Sequence, residues 1–102
     1  MAKDQAQLQI KLEELLGSEN VYYQPPESLR MKYTAIRYHK KRIDSRFANN
    51  AVYTKLNCYE LIVIARDPDD PVIDKLLAMP YCVHDRNYQA DNLEHDVFTL
   101  FY

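Results

Sequence analysis

Apolar residues recur along the chain with two periods, and the switches between them lay out an order of elements. From Lys3 to Leu16, the residues Leu8, Leu12, Leu15 and Leu16 fall at helical spacing. Asp4 followed three residues later by Gln7 has the form of a capping box, and Gly17, the lone glycine, stands where a helix C-cap belongs. The alternation from Leu8 to Leu12 would also suit a strand, but the Gln, Lys, Glu and Leu content favours helix. Val21-Tyr22-Tyr23 has strand composition and is stopped by Pro25-Pro26. Met31 to Tyr38 alternates, with Met31, Tyr33 and Ala35 on one face and Lys32, Thr34 and Ile36 on the other. A long strand is expected from about Val52 to Ala65. Its end, Leu61-Ile62-Val63-Ile64, is continuously apolar and predicts a central strand covered on both faces.

Between those strands, residues 39–51 are too long and polar for a tight turn and predict a long basic loop or a hairpin extension. Asp67-Pro68-Asp69-Asp70-Pro71 is strong punctuation: Asp70 suits an N-cap, Pro71 the first helical position and Asp74 the first turn. Val72, Ile73, Leu76 and Leu77 then define the buried face of a short helix that Pro80 ends near Met79. Two strands follow, Tyr81 to Asp85 and Asp96 to Tyr102, separated by the polar stretch from Arg86 to His95. The sum is an α+β fold: a mainly antiparallel sheet packed against an N-terminal helix and a second short helix.

With 102 residues and 47% hydrophobic content, the sequence describes one domain over residues 1–102. No run approaches the length of a membrane span, and the polar start Met1-Ala2-Lys3-Asp4-Gln5 gives no secretory signal. One glycine excludes P-loops and dinucleotide fingerprints. The two cysteines are expected as reduced thiols in an intracellular compartment. The net charge of −2 conceals a division. Arg30, Lys32, Arg37, Lys40, Lys41, Arg42, Arg46 and Lys55 share a segment with a single acid, Asp44, whereas acids far outnumber bases in the rest of the chain. A molecule divided in this way is suited to head-to-tail contact between copies or to a polyanion.

Several constellations carry possible chemistry. Cys82, His84, Asp85, His95 and Asp96 are metal-ligand types, but no second cysteine pair or regular histidine spacing completes a four-ligand set, so no metal or cofactor is expected. Cys58 or Cys82 with His84 or His95 would suit a nucleophile and base, though Cys58 reads better as a small core residue. Asp67, Asp69 and Asp70 are accounted for as turn and cap residues. The basic segment is the strongest candidate: Arg37, Lys40, Lys41, Arg42, Arg46 and Phe47 could meet a partner subunit or the phosphates and bases of DNA.

Val21-Tyr22-Tyr23-Gln24-Pro25-Pro26, Leu77-Ala78-Met79-Pro80-Tyr81-Cys82 and the stretch from Asp91 to Tyr102 give the chain a further reading. Over residues 20–102 it resembles the small neck proteins of tailed bacteriophages, in particular the tail terminator or tail completion group. The resemblance implies a non-enzymatic virion protein, assembled in the host cytoplasm, that forms a hexameric ring at the head-proximal end of the tail tube. The implied partners are further copies, the tail tube protein and the head connector or stopper proteins, with possible non-specific DNA contact in the ring lumen and no membrane. On this reading the basic residues meet an acidic edge on the next copy, for which Asp67, Asp69, Asp70 and Asp74 are candidates. The alternative is a small nucleic-acid-binding module using the basic loop 37–55.

Overall fold

The computed structural model describes residues 4–48 and 51–102, with side chains over 4–43 and 57–102. The elements run α1 (Gln5–Leu16), β1 (Val21–Tyr23), β2 (Ala35–Ala48), β3 (Ala51–Ala65), α2 (Pro71–Leu77), β4 (Cys82–Ala90) and β5 (Leu93–Phe101). The strands form one five-stranded sheet in the order β1-β2-β3-β5-β4. Only β1 and β2 pair in parallel; the other three ladders are antiparallel. This is the α+β fold that the sequence predicts.

Both helices begin where their caps dictate. The Asp4 carboxylate accepts from the Gln7 amide at 2.8 Å, and the Gln7 side chain accepts in return from the Asp4 amide at 3.3 Å, which completes the capping box. Gly17 adopts φ 78° and donates its amide to the Glu13 carbonyl at 2.8 Å, a left-handed stop that costs glycine little. In α2 the Asp70 carboxylate accepts from the Val72 amide at 3.0 Å, with Pro71 at the first helical position.

The period-2 alternation of β3 then organises the core. Tyr59, Leu61 and Val63 are fully buried on one face with Ile36 and Tyr38 of β2, Phe98 and Leu100 of β5, and Val21 of β1. Leu8 and Leu12 of α1 and Val72 and Leu76 of α2 close over that face, each side chain contributing about 1.5–3 kcal/mol on full burial. Tyr38 adds a polar tie. Its hydroxyl donates to the Gln9 side chain and accepts from Gln5 Nε2 at 2.8 Å, which joins β2 to the first turns of α1. Gln9 Nε2 in turn donates to the Val21 carbonyl at 2.9 Å.

One open expectation is resolved and three are corrected. First, of the loop and the hairpin extension expected for residues 39–51, the extension forms: β2 continues to Ala48 against β3, which starts at Ala51, and Asn49 and Asn50 lie outside the described residues. The polarity of that segment argued for a loop, but a two-stranded ladder needs paired backbone groups rather than an apolar face. The hairpin extension is therefore what forms. Second, β2 begins at Ala35 instead of Met31, because its outer neighbour β1 is only three residues long. Third, the polar stretch from Arg86 to His95 belongs mostly to strands. It folds back at Asp91 (φ 53°) and Asn92 (φ 61°), a tight turn whose positive φ angles Asp and Asn tolerate. Fourth, Leu77 is 46% exposed, because α2 ends on it. The expectation for Leu61 to Ile64 holds in the main: β3 is the central strand, both helices pack on its Tyr59–Leu61–Val63 face, and on the other face Cys58, Ile64 and Val97 of β5 are buried and Ile62 is half-buried.

The Tyr38 hydroxyl satisfies two glutamines, whereas the equally buried Tyr59 hydroxyl makes no hydrogen bond of good geometry among the described residues and has the Asn57 side chain as its polar neighbour. Burial pushes the Tyr38 phenol up to about 12 and raises that of Tyr59 as well. Tyr38→Phe is therefore expected to lower stability by about 1–2 kcal/mol, since it strands Gln5 and Gln9, while Tyr59→Phe leaves stability unchanged or raises it. Urea unfolding of the two variants checks the contrast; equal losses would contradict it.

Candidate functional site

The basic residues gather where the sheet narrows to two strands. The ladder between β1 and β2 ends at Tyr23–Tyr38, and that between β5 and β3 reaches Cys58 opposite Phe101, with Asn57 and Tyr102 exchanging main-chain hydrogen bonds at 2.9 and 3.2 Å beyond it. Past that line only β2 and β3 continue among the described residues, as a ribbon from Arg42–Ala48 paired with Ala51–Cys58. Its seven residues on β2, paired with eight on β3 across a second register shift between Arg46 and Phe47, extend about 23 Å at the usual strand rise. The ribbon accounts for much of the molecule's long axis, 51 Å against 26 and 23 Å across.

A break in register between Lys40 and Arg42 marks its base, with Lys41 as the extra residue. Bulges of this kind bend and twist a strand pair, and here one stands where the ribbon leaves the sheet. Lys40, Lys41 and Arg42 are exposed, and the Arg42 guanidinium lies 5.7 Å from the centre of the Phe101 ring. Arg37 is exposed further back in β2, between Tyr22 of β1 and Ile62 of β3. The main chain of Arg46 is opposite Thr54 and that of Phe47 opposite Val52; the side chains of both lie outside the described residues.

The acidic candidates lie at the other end. β3 runs from the ribbon to Ala65 and delivers the chain into the turn that holds Asp67, Asp69 and Asp70. Asp67 accepts from the Asp69 amide at 2.9 Å, and Asp70 accepts from Thr34 Oγ1 at 3.2 Å besides capping α2. Asp74, in the first turn of α2, is exposed. Two of these four carboxylates thus have local structural work. The sequence reasoning missed a second acidic group at the same end. Ala65 pairs with Glu94, so the β4–β5 turn brings Asp91, Glu94 and Asp96 beside the end of β3. The signal for it was the Asp91-Asn92 pair between two alternating stretches.

The residues considered for catalysis are arranged differently. His84 Nε2 lies 2.9 Å from Asp96 Oδ1, which also accepts from Asn87 Nδ2 at 3.1 Å. Asn87 and Gln89 further bond Glu94, at 3.2 and 2.6 Å. Asp96 is 6% exposed, so these partners satisfy a buried carboxylate. The His84 ring stands edge-on to Phe98, while His95 stacks on Tyr88 with ring centres 4.7 Å apart. Cys58 is buried, and burial with the Asp85 carboxylate pushes the Cys82 thiol up to about 11, the reverse of what an attacking thiolate needs. No three His, Cys, Asp or Glu side chains among the described residues are grouped to hold a metal ion. An open hollow of about 430 Å³ between the helices is lined by Lys11, Leu15, Lys75, Met79, Pro80 and Tyr102.

The chain matches no protein-family model and no curated protein. Its charge is distributed unevenly, with the bases of β2 at and beyond the base of the ribbon and clustered carboxylates at the far end of β3.

Alkylation tests the state of Cys82. With its thiol at about 11, labelling of the folded protein by iodoacetamide at pH 7.5 is expected to run about tenfold or more slower than for a free cysteine and to rise steeply with pH. Rapid labelling at pH 7.5 in the native state would contradict the assignment.

Proposed function

We propose that the protein is a structural subunit of a tailed-phage neck, a tail terminator that forms a ring at the head-proximal end of the tail tube and joins it to the head connector. The observation that carries this reading is the separation of charge along the molecule. The ribbon and its base hold Lys40, Lys41, Arg42, Arg46 and Lys55, and the far end of β3 gathers Asp67, Asp69, Asp70, Asp91 and Glu94. Like ends repel and unlike ends attract, so identical copies favour a head-to-tail order, and a head-to-tail order that closes is a ring. The phage resemblance over residues 20–102 supplies the biological setting: a virion protein assembled in the host cytoplasm, with the tail tube and the connector or stopper proteins as neighbours. It acts by occupying a position rather than by catalysing a reaction.

A second reading is favoured by the ribbon itself. A two-stranded β-ribbon is of a size to enter a DNA major groove, so segment 37–55 would serve a small nucleic-acid-binding module. Light scattering with negative-stain imaging separates the two. The ring reading predicts discrete closed assemblies from the purified protein, and conversion of Lys40, Lys41 and Arg42 to Glu is expected to leave folded monomers, because these exposed side chains contribute little to the core. A strictly monomeric wild-type protein that binds duplex DNA with a steep salt dependence would sink the ring in favour of the module.

A further inference from the structure

The sheet ends on β4, with no strand beside it among the described residues; a bulge at Asp85 interrupts that edge between His84 and Arg86, and Arg86 to Gln89 form its regular stretch. β4 is nine residues long and exposed from Val83 to Gln89, with Val83 58% and Tyr88 38% exposed. Long edges are normally blunted, because unpaired amides and carbonyls recruit other strands. The outward groups follow from the hairpin. Ala90 and Leu93 flank a two-residue turn and exchange both main-chain hydrogen bonds, so the next pair, Gln89 and Glu94, directs its amides and carbonyls away from the ladder. The Gln89 amide therefore points off the sheet.

The ribbon has the opposite need. It is two strands wide, and a lone two-stranded ladder is at best marginally stable in water. Within one molecule it cannot reach β4, since β3 and β5 stand between β2 and β4. The charges are complementary: the β4–β5 hairpin holds Asp85, Asp91, Glu94 and Asp96 against the single base Arg86, whereas segment 40–55 holds five bases against Asp44.

We propose that the outer edge of β4 receives the basic ribbon of a second copy, the stretch of β2 from Ile43 to Ala48 adding to the sheet as a further strand. The mode is strand addition: main-chain hydrogen bonds supply affinity, and the charge pattern sets which end meets which. The proposal rests on the reading of the chain as a self-assembling subunit and names its joint. It assigns the acidic side of that joint to the β4–β5 hairpin instead of the Asp67–Asp74 turn, where Asp70 caps α2 and Asp67 closes its own turn.

A charge exchange tests it. One variant carries Lys40→Glu, Lys41→Glu and Arg42→Glu; the other carries Asp85→Lys and Glu94→Lys. Each alone presents like charges across the joint and is expected to weaken self-association by at least about a hundredfold, while an equimolar mixture, in which every joint again has opposite charges, recovers to within about tenfold of wild type. Sedimentation velocity reads the assemblies, and circular dichroism confirms that each variant is folded. If the hairpin variant does not fold, Gln89→Pro replaces it: loss of the outward amide is expected to weaken assembly about tenfold or more, and Gln89→Ala, which keeps the amide, less than about threefold. A folded hairpin variant that assembles like wild type, a mixture of folded variants that stays dissociated, or equal behaviour of the Pro and Ala variants would overturn the joint and leave the ring reading standing. A wild-type protein that never associates would overturn both.

Discussion

The register of β2 against β3 is the constraint on which the rest of the molecule depends. Tyr59, Leu61 and Val63 must face Leu8, Leu12, Val72 and Leu76, and a slip of one residue would turn all three toward the opposite face. That core fixes Ile36 and Tyr38 opposite Val63 and Leu61, and the same ladder then runs past the last contact with β1 and β5 into the ribbon. The buried half of β3 thus sets the direction and pairing of the projecting half. The Tyr38–glutamine tie and the Val21 contact hold α1 in the position from which it closes this face.

Charge is distributed along the axis that this register creates. Lys41 is the extra residue at the base of the ribbon, and the carboxylates collect where β3 ends and β5 begins. Separation along a long axis gives each copy two unlike ends. Within the screening length of about 8–10 Å at ordinary salt, such ends select orientation at contact range more than they attract at a distance. Backbone pairing at an open strand edge is the interaction that can hold the contact once it is oriented. In the proposed joint the two effects have separate roles: charge chooses the arrangement, and the ladder retains it.

Much of the fold could be read from local signals. Asp4 with Gln7, Gly17, and Asp70 with Pro71 mark helix ends because each satisfies or removes backbone groups left over at a terminus, which depends on few neighbours. Strand ends were harder. Whether residues 39–48 pair depends on a partner ten or more positions away, and their polar side chains give no apolar stripe to reveal it. The same holds for Arg86 to His95, where polar strands at a sheet edge carry the composition of a connector. The basic side of the candidate site was legible because charge is a property of composition. The edge of β4 was not, since an edge exists only once the strand order is fixed.

Hydrogen exchange measured as a function of protein concentration tests the central claim most directly, because it reports backbone protection residue by residue. If the ribbon of one copy adds to β4 of the next, protection of the outward Gln89 amide and of those β2 amides between Ile43 and Ala48 that point away from β3 rises together as the protein associates, while the core amides of β3 and β5 stay unchanged. Association that leaves those two sets of amides exchanging as in the dilute monomer would contradict the account.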